Sequence, residues 1–147
     1  MAPSVLAGTP DEITREDLRV LQQTTKDDLT HIEAAWPAFE RLVGLKGRKM
    51  YASVDVRSGT YTVCTPVRAD DPDDLFGLEV GTLCGGRYLR GRILGEPPES
   101  FARVGAGMHE LVESVTTDAT RPLIEFYKRH DVIELWVPIT RTARDAA

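Results

Sequence analysis

The stretch from Arg121 to Ile139 constrains the chain most, because it reads as two short strands joined by a charged turn. Period-two alternation sends successive side chains to opposite faces of a sheet. In the second strand Ile133, Leu135 and Val137 form one apolar face, and Glu134 and Trp136 point the other way. In the first, Ile124 and Phe126 share a face, while Leu123, Glu125 and Tyr127 share the opposite one. If apolar faces pack on helices, the other side of the sheet carries both carboxylates among aromatic rings. That arrangement is unusual for a face that only meets solvent.

Upstream, the same reading gives a repeating order. Asp17 to Thr25 reads as a first strand. Thr30-His-Ile-Glu33 is a capping box that opens a helix. Apolar residues at Ile32, Ala35, Trp36, Phe39, Leu42 and Val43 give that helix its stripe, interrupted by Pro37, where a kink or a fresh start is expected. Lys49 to Val56 and Thr60 to Val67 flank a glycine-containing connection of hairpin length. A third β stretch, Leu78 to Leu94, is broken at Gly85-Gly86. A second helix follows Pro98, with Phe101, Val104, Met108, Leu111, Val112 and Val115 in unbroken helical period.

The expected fold is therefore α+β: a duplicated β-α-β-β unit with a period of about seventy residues, inferred from element order. One half covers about 17–67 and the other about 78–139. An antiparallel sheet would carry two helices on one face and a ligand groove on the other. Residues 1–16 and 140–147 read as flexible tails. On this reading fewer than twenty residues precede the first strand, too few for a helix-turn-helix.

Composition narrows the function classes. The net charge of −5 argues against direct nucleic-acid binding, for which three arginines at Arg87, Arg90 and Arg92 do not compensate. No apolar run approaches membrane-spanning length. Cys64 and Cys84 form no metal or disulfide framework and fit reduced thiols in a cytoplasmic protein. His31, His109 and His130 share no motif, so no metal site is expected, and no phosphate loop or other cofactor motif appears. The acids Asp70, Asp71, Asp73 and Asp74 lack calcium-loop spacing and read as a solvated loop.

Three segments carry a resemblance. The run from Gly86 to Pro97, Gly-Arg-Tyr-Leu-Arg-Gly-Arg-Ile-Leu-Gly-Glu-Pro, resembles the "G-x-Y, then G-x-P" signature of the GyrI-like small-molecule-binding domain. Ile124-Glu-Phe-Tyr127 resembles that family's "hydrophobic-Glu-x-Tyr" strand, and Glu134 to Ile139 its closing strand, with Trp136 where tyrosine is commoner. The family is the effector-binding domain of multidrug-sensing bacterial transcription regulators, also found as free-standing proteins. The resemblance implies a groove for aromatic or cationic compounds, with Glu125 at its floor and Tyr88, Tyr127 and Trp136 as pocket aromatics. Tyr51 and Tyr61 on the first hairpin are candidates for the opposite wall, and Trp36 for a groove edge. Phe39 and Phe101 read as core.

Three readings remain open at this point. One is a stand-alone sensor or sequestering protein for small aromatic or cationic ligands. Another is a hydrolase of strained electrophilic natural products, giving resistance to a cyclopropane-type toxin, in which Glu125 activates water and Tyr127 or Glu134 protonates the leaving group. The third is an inhibitor of a protein partner such as a topoisomerase.

Overall fold

The computed structural model describes residues 3–140 and contains an eight-stranded antiparallel sheet with helices on one face. The elements are β1 (Asp11–Arg15), β2 (Leu18–Lys26), α1 (Leu29–Val43), β3 (Met50–Asp55), β4 (Thr60–Pro66), β5 (Glu79–Leu83), β6 (Gly86–Leu94), α2 (Glu99–Ala102), α3 (Val104–Ser114), β7 (Leu123–Arg129) and β8 (Val132–Pro138). A single 3₁₀ turn, Leu75–Gly77, precedes β5. The α+β class and the two β-α-β-β units agree with the alternation and helical stripes of the sequence.

Strand order is β1-β6-β8-β7-β3-β4-β2-β5. The two units meet where β7 pairs with β3, and Ala52 faces Glu125 across that central seam. The units match in register: Pro66 pairs with Val20 in one, and Pro138 with Tyr88 in the other. Each outer strand comes from the opposite unit. β1 precedes β2 in the chain but pairs with β6, and β5 precedes β6 but pairs with β2.

Residues 11–15, expected within a flexible tail, thus form an edge strand. Ahead of them the Ala7 N–H donates to the Arg92 carbonyl at 2.8 Å, and the Val5 N–H to Glu110 at 3.0 Å. Val5 and Leu6 pack on the α3 core. The alternation of β1 is short and mostly polar, so sequence periodicity gave it no signal. At the other end residues 141–147 lie outside the described residues.

Both helices cover the same face. α1 packs Phe39 and Val43 against Leu21, Ala52, Val54 and Val63. α3 packs Met108 and Leu111 against Ile93, Ile133, Leu135 and Val137. Leu123 and Tyr127 touch both clusters, so β7 runs beneath the seam between the helices. The helix-free face curls around a third cluster that draws Val20, Tyr51, Leu83, Tyr88 and Trp136 from strands across the whole sheet.

Local details depart from the sequence reading in three places. The cap of α1 lies two residues before the Thr30 of the box: Asp28 accepts the His31 N–H at 2.9 Å. It then runs through Pro37 without restarting. The second helical stretch is two helices, broken at Arg103. The acidic loop is tied down: Asp71 forms a two-pronged, almost fully buried ion pair with Arg48.

Candidate functional site

The side chains singled out from sequence fall into two groups on opposite faces of the sheet. On the helix face, Glu125 of β7 is 7% exposed. Its Oε1 accepts hydrogen bonds from the Tyr61 and Tyr127 hydroxyls, both at 2.7 Å. The Trp36 Nε1–H donates to the Tyr61 oxygen at 3.1 Å, extending the network to α1. Rings surround the carboxylate. Trp36 stands edge-on to Tyr127 with centroids 5.1 Å apart, and Phe101 stands edge-on to it at 5.9 Å.

Sequence and topology explain this convergence. Glu125 and Tyr127 are two apart on β7, hence on one face. Tyr61 lies on β4, opposite Val54, and points to the same side. Trp36 comes down from α1 and Phe101 from α2, so the cluster lies where the two helices meet the sheet. The unit-related partner of Glu125 is Ala52, fully buried on the same face.

Electrostatically, Glu125 is a buried carboxyl group with no counter-charge among the described residues. Among the described residues no lysine, arginine or histidine pairs with it, and its Oε2 accepts no hydrogen bond from the protein. Burial pushes its carboxyl above the ordinary range, while the two tyrosine hydroxyls pull it part of the way back. Burial also pushes the Tyr61 and Tyr127 phenols far up, with the neighbouring carboxylate adding to it, so both remain hydrogen-bond donors.

On the helix-free face lie Tyr51, Tyr88 and Trp136, exposed by 1%, 0% and 1%. Tyr51 stacks on Phe126 at 4.4 Å, and Trp136 contacts Tyr51, Tyr88 and Phe126 at 5.7–5.8 Å between centroids. Arg15 lies over Trp136 and Arg121 over Tyr88. These rings fill the inside of the curl and are core. Expected as groove walls beside Glu125, they sit on the other side of the sheet from it.

Glu134 belongs to this second group. Across the β7–β8 pair Glu125 faces Leu135 and Phe126 faces Glu134, and directly opposed residues share a face. The expectation that both glutamates line one groove fails on that register. Glu134 is also charge-compensated: Lys128 Nζ is 3.2 Å away, Arg90 3.8 Å, and the Trp136 indole N–H donates to it at 3.1 Å. The likewise expected placement of the groove opposite the helices fails for Glu125. Phe101, which an unbroken helical stripe assigned to the core, is half exposed and stands against Tyr127.

No protein-family model and no curated protein matches the chain. Solved structures do. SAV2435 bound to tetraphenylphosphonium superposes with a TM-score of 0.69 at 15% identity, over 90% of this chain and 94% of that one. The integron cassette protein VCH_CASS2 from the mobile metagenome of Vibrio cholerae gives 0.69 at 15%, over 89% and 95%. The EcmrR C-terminal domain gives 0.66 at 11%, over 91% and 98%. This agreement along nearly the whole of each chain, with the duplicated units meeting at β3 and β7, establishes that the protein has the GyrI-like fold.

Proposed function

We propose that the protein binds hydrophobic organic cations in the cleft between α1 and α2–α3. Glu125 is the counter-ion, and Trp36, Tyr61, Tyr127 and Phe101 are the aromatic surround. The observation that carries this reading is a buried carboxylate with two tyrosine donors on one oxygen and no basic partner. An unpaired buried anion is costly, and an organic cation relieves that cost without needing hydrogen bonds of its own. Each ring face adds cation–π attraction of about 0.5–2 kcal/mol. Exposed Phe101 and part-buried Trp36 give the cleft a solvent side. A structural neighbour bound to tetraphenylphosphonium supports a ligand of this class.

Capture or sensing fits this chemistry better than hydrolysis. The hydrolase reading needs an acid beside the base, and Glu134 is on the other face of the sheet. Tyr127, the remaining proton donor, has its phenol pushed up by burial and holds its proton firmly.

Titration with tetraphenylphosphonium and with neutral triphenylphosphine oxide, read by tryptophan fluorescence and calorimetry, tests the proposal. Wild type is expected to prefer the cation, and Glu125→Gln to lose at least about tenfold in cation affinity, an ionic contribution of about 1.4 kcal/mol. Equal binding of the cation by both proteins would sink it.

A further inference from the structure

The helix-free face carries a cavity of about 280 Å³ that lies away from the Glu125 cluster. Gln22 and Thr24 of β2, Ser53 and Asp55 of β3, Thr62 of β4 and Arg57 of the β3–β4 turn line it. At about 30 Å³ per water, its volume corresponds to about nine water molecules.

The duplication shows what is unusual here. By register, Gln22 and Thr24 correspond to Arg90 and Arg92 of β6, because Val20 and Tyr88 both face the matching prolines Pro66 and Pro138. Thr62 corresponds to Glu134, and Ser53 to Phe126, counting outward from the facing pair Ala52 and Glu125. In the second unit these positions are filled by long side chains locked together. Arg90 pairs with Asp11 at 2.6 Å and lies 3.8 Å from Glu134, which also holds Lys128 at 3.2 Å. In the first unit the same positions carry short hydroxyl and amide groups, and the space is open. Thr24 and Thr62 hydrogen-bond each other at 2.8 Å, and the Ser53 hydroxyl has no protein partner among the described residues.

The charge pattern selects the ligand class. Asp55 accepts the Arg57 and Ser58 N–H groups of its turn and keeps its negative charge at the cavity wall. Among the described residues, the Arg57 guanidinium hydrogen-bonds the Ala119 carbonyl alone, at 3.5 Å. A free anion meets Asp55 and a free cation meets Arg57; the other lining guanidinium, Arg121, is already held by Asp118 and by backbone carbonyls. Hydroxyl groups satisfy both, since each donates and accepts, as do the threonine and serine hydroxyls between them. No aromatic ring lines the cavity, so a flat hydrophobic ligand gains nothing there. We propose that this cavity is a second binding site, for a small uncharged polyol of the size of a single sugar ring.

Saturation-transfer NMR and calorimetry with D-glucose, D-ribose and myo-inositol test it, with inorganic phosphate and L-serine as charged and zwitterionic probes. Saturable binding of a polyol by wild type is expected. Thr62→Val, which keeps the shape and removes one hydroxyl, should weaken it by about tenfold, the loss of one well-formed ligand hydrogen bond. Thr24→Arg with Thr62→Glu, copying the filled unit, should abolish it. Tetraphenylphosphonium titration of each variant verifies that the fold and the other cleft are intact. Failure of all three polyols to saturate at tens of millimolar would overturn the proposal. So would stronger binding of phosphate or serine than of any polyol, or unchanged polyol binding in the filled variant.

Discussion

Glu125 couples the protein's stability to pH in a direction opposite to that of Asp11, Asp71 and Asp118. In the unfolded chain a glutamate titrates near about 4.3. In the folded protein burial holds the proton to higher pH. As pH rises from the unfolded value, the unfolded chain releases its proton while the folded one keeps it, so stability falls. The fall ends once pH passes the raised folded value. Asp11, Asp71 and Asp118, held low by arginines and local hydrogen bonds, instead contribute stability that rises with pH through the acid range and is lost as pH falls. Glu125→Gln isolates the first contribution: urea unfolding at a series of pH values should show the variant gaining on wild type across that window and running parallel above it. Curves parallel throughout would mean that Glu125 is not held protonated by burial. Within each strand, alternation revealed which side chains share a face, and Glu125 with Tyr127 was legible that way. Alternation is silent on which residue of β8 faces Glu125, and that unknown put Glu134 and Trp136 on its face; Tyr88 was joined to it by the family resemblance and Tyr51 by its place on the first hairpin.

At the level of elements, the contact between the two linkers is backbone-to-backbone and leaves no room for a side chain. Residues 16–17 join β1 to β2, and residues 84–85 join β5 to β6. The linkers touch, with the Gly85 N–H donating to Asp17 at 2.6 Å. A Cβ on Gly85 would lie 2.5 Å from the Arg15 carbonyl oxygen and 2.7 Å from the Asp17 nitrogen, both backbone atoms that cannot swing away. Gly85→Ala is therefore expected to destabilise by about 1–3 kcal/mol, as overpacking does. Gly105→Ala is its control. Gly105 lies in α3 with nothing within 4 Å of an added Cβ, so it should stabilise by about 0.5–1 kcal/mol. Denaturation midpoints of the two variants moving the same way would refute this account of the crossing. The sequence marked Gly85-Gly86 as a break in the β pattern, which was right. The reason was not local: it is the other linker, sixty-eight residues away along the chain.

Exchange of the outer strands makes the two units one cooperative body. β1 finishes the sheet of the second unit and β5 that of the first, so neither unit has its full set of strands from its own stretch of chain. Residues 3–15, read from sequence as a tail, are then structural. Their removal would leave β6 as an open edge, strip Val5 and Leu6 from α3, and take Arg15 from the face of Trp136. A variant lacking residues 1–16 is expected to lose several kcal/mol, a large part of the about 5–15 kcal/mol that holds a domain folded. The same lacing predicts that both units unfold together. Trp36 reports on the first and Trp136 on the second, and they are the only tryptophans in the chain. Replacing each in turn by phenylalanine leaves a single fluorescent reporter per unit. Each reporter's urea transition should coincide with the loss of helical circular dichroism measured on the same variant. Separated fluorescence and dichroism midpoints in either variant, or a truncated protein as stable as the full chain, would show that the units stand alone and that strand exchange contributes little to holding them together.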